Sequence, residues 1–288
     1  YENQDNPEIA TVEEYGGAIQ FVSGDTRFSS LTLLEAELES FTGSVRHSHS
    51  YLDRHGVTVD RLCQLVKMFG NIRTLIIGDL IVDQYIDCDP VGLSSEDPTI
   101  VVTPILTQLF LGGAGIVAAH AGSMAGPSHF LSISGDDDPA KFAKEKLFGE
   151  RVSVNIIPDK SRPTTVKTRY RAQGKTLLRV SDFRDHEIDQ SIKEIILEAA
   201  QGLLPEIDLL IFSDFNYGLF SQSLLEELSY SGKKRGIMMA ADSQSSSQLG
   251  DIGRFKEMSL LTPTEREARL ATRNKHGGLV SLAEDLQI

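Results

Sequence analysis

The sequence predicts an α/β protein in which a mainly parallel sheet is covered by helices on both faces, with a small β lid over one edge. Three observations predict it. From residue 128 onward, strand-length apolar runs alternate with helix-length amphipathic ones, the rhythm of βαβ units whose strands run parallel. Leu75-Ile76-Ile77 is an unbroken apolar run that stops at Gly78-Asp79, as in a strand buried on both faces. Residues 99–109 and the pair 165–171 and 176–183 are extended and stand outside that rhythm, which suits a lid.

Composition narrows the function classes. The chain has 288 residues, 40% of them hydrophobic and 24% charged, enough for one large domain or two ordinary ones. Its formal net charge of -13 argues against a nucleic-acid surface and against an anionic membrane surface, both of which need clustered Lys and Arg. No apolar run reaches the length of a membrane span. The two cysteines, Cys63 and Cys88, lack metal-ligand spacing, and a cytoplasmic protein is expected. His47, His49 and His55 fall in a polar stretch and read as a solvated loop against a metal site. The chain begins at Tyr1 and stops at Gln287-Ile288 inside a helical pattern, so a window of a longer polypeptide is expected.

Taken in order, residues 7–15 suit a helix ended by Gly16-Gly17, residues 18–22 a short strand, and Arg27-Phe28-Ser29-Ser30 a helix start. That start is either ordinary Ser capping or a phosphate site. A domain boundary is expected near 40–55. Residues 59–69 form an amphipathic helix, with Leu62, Leu65, Val66 and Phe69 on one face, leading into the strand at 75–77. Asp79 and Asp83 then lie just beyond that strand's carboxyl end, where open α/β sheets bind ligands. Paired carboxylates suit the hydroxyls of a sugar; a turn with two solvated acids is the bland alternative. After Tyr85 the pattern changes: residues 86–98 are rich in Asp, Pro, Gly and Ser and residues 99–109 are β-branched and apolar, which suggests strands leaving the binding edge as a small lid.

Residues 111–125, L-G-G-A-G-I-V-A-A-H-A-G-S-M-A, read as a glycine-rich helix start that packs closely on the sheet and approaches a ligand. It is not a dinucleotide fingerprint: the third glycine is missing and no strand is expected to run directly into it. In the extended pair, turned at Gln173-Gly174-Lys175, Val166, Thr168 and Tyr170 alternate with Lys167, Arg169 and Arg171. One face is therefore apolar and the other basic. With Arg179 this makes a strip of four bases that suits either a phosphorylated ligand or solvent. Strands are further expected at 128–134, 152–157, 207–213, 236–241 and 258–261, and helices at 138–148, 189–202, 221–231 and 264–272. Three of these strands end in polar groups as the first does: Ser213-Asp214, Asp242-Ser243 and Thr262-Pro263-Thr264 with Glu265 and Glu267. Four such endings on one sheet edge make a site.

Together these segments resemble the PfkB, or ribokinase-like, carbohydrate kinases, and among them the heptose 7-phosphate kinase half of the bifunctional enzymes of ADP-heptose synthesis. The matching pieces are G-D-L-I-V-D-Q-Y (78–85), G-G-A-G-I-V-A (112–118), R-P-T-T-V-K-T-R-Y (162–170), L-L-R-V-S-D-F (177–183), S-D-F-N-Y-G (213–218) and L-L-T-P-T-E-R-E-A (260–268). Residues 7–34, with E-E-Y-G-G-A-I and R-F-S-S, more weakly resemble the end of a cytidylyltransferase-type domain. The domains expected are a nucleotidyltransferase-like remnant (1–45), a linker and leading helix (46–70) and a sugar kinase domain (71–288).

The resemblance implies a three-layer α/β/α ribokinase-like fold with a β lid, C-terminally truncated, that uses ATP and Mg²⁺ to phosphorylate a sugar or sugar-phosphate hydroxyl. It implies that Asp83 binds sugar hydroxyls, Gly112 and Gly113 admit the sugar to the backbone, and Lys167 and Arg169 contact it from the lid. Asp214 and Asp242 would line the phosphate-transfer cleft and Glu267 would order the magnesium indirectly. The sequence departs from the family at Ile116, where Asn is usual, and at Thr264, where T-P-N is usual. The Gly-Ala-Gly-Asp segment that carries the family's catalytic base is absent and is expected beyond Ile288. Lid strands in such folds pair between subunits, so a homodimer that covers the edges at 99–109 and 165–182 is one expected assembly. Two rival readings are a kinase for an unphosphorylated sugar or nucleoside and a non-catalytic sugar-binding module.

Overall fold

The computed structural model of the chain describes residues 54–148, 151–244 and 250–287. The elements read at 7–15, 18–22 and 27–30, the 1–45 remnant, and His47 and His49 lie outside the described residues. Contacts divide the chain after Cys63, and the site lies in the unit Gln64–Ile288.

In chain order the elements are α1 (Val59–Phe69), β1 (Thr74–Gly78), β2 (Leu80–Leu93), β3 (Ile100–Gly112), α2 (Gly113–Met124), β4 (Ser128–Ser134), α3 (Asp138–Phe148) and β5 (Val152–Pro158). There follow β6 (Thr165–Ala172), β7 (Lys175–Asp182), α4 (Gln190–Leu203), β8 (Leu209–Asp214), α5 (Gln222–Lys234), β9 (Met238–Ser243), β10 (Leu260–Leu261), α6 (Glu265–Thr272) and α7 (Leu279–Leu286). A six-stranded sheet has the order β10-β9-β8-β1-β4-β5, and every neighbouring pair is parallel. A four-stranded mixed sheet, β3-β2-β6-β7, forms the lid.

The side-chain alternation of β1 explains the three layers. Leu75 and Ile77 point to one face and join Ile192 and Ile196 of α4 with Leu224 and Leu228 of α5. Ile76, between them, points to the other and joins Ala114 and Ala118 of α2 with Ala143 and Leu147 of α3. A strand buried on both faces must be apolar throughout, and each such Leu or Ile contributes about 1.5–3 kcal/mol by leaving water. Polar residues set where the covering helices begin. Asp189 accepts from Ile192 N at 2.9 Å and starts α4; Ser221 accepts from Leu224 N at 3.3 Å and starts α5.

Two stretches fold differently from their local composition. The change of composition after Tyr85 does not end the strand: β2 continues to Leu93 as a 14-residue strand. Pro90 is tolerated there because β6 pairs with β2 only over Ile81–Asp87, and beyond that β2 has β3 alone as a neighbour. A ladder register shift falls between Pro90 and Gly92, so no central hydrogen bond is missing. Secondly, a strand does run directly into the glycine-rich helix. β3 ends at Gly112 and α2 begins at Gly113, whose φ of 53° makes the turn; that angle is costly for a residue with a Cβ.

Candidate active site

The four strands with polar endings, β10, β9, β8 and β1, are successive neighbours in the main sheet. Because all run parallel, Asp79, Asp214, Asp242 and the Thr264 segment reach the same edge. From β1 the chain moves to β4 and β5 on one side, then to β8, β9 and β10 on the other. The reversal lies between β1 and β8, where such sheets form a crevice.

Asp79 braces that seam. It is 3% exposed, and its Oδ2 accepts from Phe215 N at 2.7 Å and Tyr217 N at 3.5 Å. Burial first, then the neighbouring Asp214 charge, pushes its carboxyl up to about 7, against the pull of those two backbone N–H groups and Arg162. The expectation that Asp79 and Asp83 form a ligand-gripping pair beyond one strand end is therefore corrected. Asp79 serves the protein's own backbone, and Asp83 lies within β2 of the lid.

Asp83 is the carboxylate on the lid face that meets the crevice. Ile81, two residues before it on the same strand face, packs with Phe215 and Tyr217 of the β8 loop. Asp83 Oδ1 accepts from Arg169 Nη1 of β6. Burial would lower the Arg169 guanidinium, but the hydrogen bond and charge of Asp83 outweigh it and hold the group above its ordinary value. Arg169 also lies over the Tyr85 ring, 5.2 Å from its centroid. Gly112 sits beside this pair, and a Cβ there would overlap the Asp83 carboxylate. A Cβ on Gly113 would lie 2.5 Å from Asp79 O. Ile116, on the first turns of α2, is 38% exposed.

Lys167 pairs in register with Asp83 yet is only 5% exposed. Its Nζ lies 5.0 Å from the Phe215 ring centroid and 5.4 Å from that of Tyr217. The lid is thus seated on the β8 loop through a cation and two aromatic faces. Arg162, which was not singled out beforehand, anchors the same corner. Its Nε donates to Asp159 Oδ2 at 2.6 Å, Nη1 to Tyr217 O at 2.7 Å and Nη2 to His186 O at 2.8 Å. Tyr85, Phe215 and Tyr217 were not predicted as site residues either, although the first stands two residues after Asp83 and the others follow Asp214 directly.

The remaining predicted residues form the other end of the edge. Asp214 is buried and accepts from Ser243 Oγ and Arg254 Nη2, both at 2.8 Å. Asp242 accepts from Thr262 Oγ1 at 3.1 Å. Burial, reinforced by the charges of Glu267 and Asp214, pushes its carboxyl above the ordinary value despite that hydrogen bond. Glu267 is held in a capping box: Thr264 N and Thr264 Oγ1 both donate to its Oε2 at 2.8 Å, and Glu267 N donates to Thr264 Oγ1 at 3.3 Å. Among the described residues no three His, Cys, Asp or Glu side chains are grouped to enclose a metal ion. A cavity of about 640 Å³, lined by Phe255, Met258, Leu260, Leu261 and Leu286, runs beside β10 and shares no lining residue with the Asp83 corner.

A parallel sheet between two helical layers, with a β lid seated over its carboxyl edge, is the ribokinase-like fold. Residues 73–287 match the pfkB family of carbohydrate kinases, and the chain belongs to that family. It is similar to the bifunctional protein HldE of Desulfatibacillum aliphaticivorans, with 29% identity over 208 residues, 72% of this chain and 42% of that protein. The chain thus spans about two fifths of the length of that relative. Among solved structures, phosphofructokinase-2 from Escherichia coli in complex with substrates and products superposes with a TM-score of 0.57 at 14% identity, covering 75% of this chain and 68% of that one. Arabidopsis thaliana ribokinase complexed with ribose and ATP superposes with a TM-score of 0.53 at 15% identity, covering 75% and 67%. At such identities the likeness is one of fold.

Proposed function

We propose that the chain supplies the acceptor side of an ATP- and Mg²⁺-dependent kinase that phosphorylates a hydroxyl of a sugar or sugar phosphate. The observation that carries the reading is the Asp83–Arg169 pair. It sets a carboxylate, oriented by a cation and flanked by Gly112, over the crevice, a geometry for accepting hydrogen bonds from vicinal hydroxyls. Glycine leaves the backbone approachable there.

Phosphoryl transfer asks the protein chiefly for positioning and charge neutralisation. Asp83, Gly112 and Gly113 hold the acceptor, and the lid, seated by Lys167, keeps water from it. Asp214 and Asp242 border the path of the transferred phosphate. Burial and the charges of Glu267 and Asp214 raise the cost of ionising Asp242, so a cation near it is favoured. Two carboxylates without a closed ligand cage suit Mg²⁺, which keeps several waters and takes the rest of its ligands from phosphates. Thr264 retains the orientation of Glu267 through the capping box. The acceptor proton would pass to an acidic base on a Gly-Ala-Gly-Asp segment outside this sequence.

The similarity to HldE supports a parent protein that joins this kinase to a nucleotidyltransferase for nucleotide-sugar synthesis, with residues 1–45 as part of that second domain and heptose 7-phosphate as the acceptor. A cytoplasmic setting would supply the ATP; no helix among the described residues is long and apolar enough to cross a membrane. Exposed Ile105, Leu106, Leu178 and Val180 on the lid support pairing of two lids in a homodimer. The test is ADP release by the full-length protein with Mg²⁺-ATP across free and phosphorylated sugars. Release dependent on one sugar class supports the proposal; sugar binding without release would favour the non-catalytic module.

A further inference from the structure

The loop that seats the lid, from Asp214 to Phe220 between β8 and α5, is gripped by buried charges. Three successive backbone N–H groups in it end on carboxylates: Phe215 N and Tyr217 N donate to Asp79 Oδ2, and Asn216 N donates to Asp214 Oδ1 at 2.9 Å. The backbone they hold is unusual, because Asn216 has a φ of 61°, in the left-handed region that a residue with a Cβ rarely adopts. Asp214 can hold its share only while its own carboxylate, 1% exposed, stays in place. A carboxylate so buried calls for a counter-charge. Arg254, at the end of the short turn Ile252–Arg254 in the β9–β10 connection, is the cation that pairs with it. Its Nη2 donates to Asp214 Oδ2 at 2.8 Å and its Nη1 to Phe220 O at 3.0 Å. One planar guanidinium therefore ties the first residue of the loop to the last. The Arg254 Nε is buried without a hydrogen-bond partner, an unfavourable arrangement that a side chain needed only to fill space would avoid.

We propose that Arg254 is a positioning residue for the acceptor corner, acting through Asp214 and Phe220 on the loop that seats the lid. The inference rests on the reading of the Asp83 corner as the acceptor site and extends it to a residue outside that corner. Packing makes the route continuous. Phe215 and Tyr217 of the loop lie against the Lys167 cation, 5.0 and 5.4 Å from their ring centroids, and pack with Ile81. Lys167 stands opposite Asp83 in the β2–β6 ladder, and Ile81 precedes Asp83 by two residues on the same strand face. A shift of the loop therefore displaces the carboxylate that would hold the sugar hydroxyls. Lysine in place of Arg254 keeps the charge but cannot reach Asp214 and Phe220 O with the same planar fork.

The experiment uses the full-length protein as wild type, Arg254→Gln, Arg254→Lys and the control Lys256→Gln, whose side chain is exposed two residues away. Steady-state kinetics with Mg²⁺-ATP and either hexose 6-phosphate or heptose 7-phosphate are read beside hydrogen exchange of the backbone N–H groups at 215–217. In Arg254→Gln the acceptor KM is expected to rise about 10- to 100-fold, the worth of one hydrogen bond to a charged group, with the KM for ATP within about twofold of wild type. Exchange at 215–217 is expected to quicken at least about tenfold while strand 128–134 keeps its wild-type rates. Arg254→Lys should recover part of both effects, and Lys256→Gln should show neither. An acceptor KM within about twofold of wild type in Arg254→Gln, or a loss confined to kcat, overturns the positioning role and leaves the kinase reading standing. Should Arg254→Gln fail to fold, Arg254→Lys carries the same test with the same two outcomes. If wild type turns over neither sugar phosphate, the kinase reading fails, and calorimetric binding of the same compounds decides the proposal. Affinity at least about tenfold weaker in Arg254→Gln supports it; equal affinity, or no binding to wild type, overturns it.

Discussion

At Gly112 a single added methyl would meet the Asp83 carboxylate, the group on which the acceptor reading depends. The carboxylate is a side-chain end and can swing aside, so Gly112→Ala should fold with little loss of stability but displace Asp83 from Arg169. The expected outcome is a rise of about tenfold or more in acceptor KM, the worth of one charged hydrogen bond, with Tm within a few degrees of wild type. Asp79 makes a different prediction. Its carboxyl stands at about 7 in the fold and near 3.9 in an unfolded chain. Between those values the unfolded state has released a proton that the native state keeps. The stability contributed by this group is therefore full below pH 3.9 and is lost as pH rises towards 7. Urea denaturation between pH 4.5 and 7.5 should show a declining unfolding free energy with a shallower decline in Asp79→Asn, whose amide oxygen can still accept from Phe215 N and Tyr217 N. Equal slopes in both proteins would contradict this assignment.

At the scale of elements, the lid is held to the main sheet by its crossings, and Arg162 ties the β5–β6 crossing to the loops at His186 and Tyr217. Its partner Asp159 is as deeply buried, with side-chain exposures of 5% and 4%. Removing the cation alone leaves an uncompensated buried carboxylate, so Arg162→Met should destabilise the protein by about 3–5 kcal/mol, read by urea denaturation. A loss below about 1 kcal/mol, the range of an exposed ion pair, would contradict the anchoring role. Much at this scale was legible beforehand. Helices 138–148 and 264–272 and strand 128–134 announce themselves through amphipathic or apolar runs bounded by caps. The unbroken β2 was not: Asp87, Asp89, Pro90 and Gly92 are poor strand formers, and only pairing with β3 across two register shifts makes them one.

At the scale of the whole molecule, order in the sheet converts scattered polar strand ends into a site. The carboxylates after Ile77, Phe212 and Ala241 could be assigned to one edge from the sequence, because parallel strands expose their carboxyl ends together. What each does there could not. Asp79 and Asp83 are the same residue type four positions apart, yet one turns inward to Phe215 and Tyr217 and the other stays on the lid face. Burial and tertiary hydrogen bonds decide that, and neither has a local signature. Arg162 and the Lys167 aromatic seat escaped for the same reason, since apart from Asp159 their partners lie 24 to 55 residues away in sequence.

The central claim is that the Asp83 corner holds a sugar whose hydroxyl receives a phosphate from ATP. The most direct measurement is phosphorus NMR of the full-length protein's reaction mixture with Mg²⁺-ATP and a sugar-phosphate acceptor, wild type beside Asp83→Asn. A new phosphomonoester resonance on the sugar that grows with ADP, and that is slowed at least about 100-fold in Asp83→Asn by loss of charged hydrogen bonds to the acceptor, is the predicted result. ATP left intact, ATP hydrolysed only to free phosphate, or equal sugar phosphorylation by both proteins would contradict it.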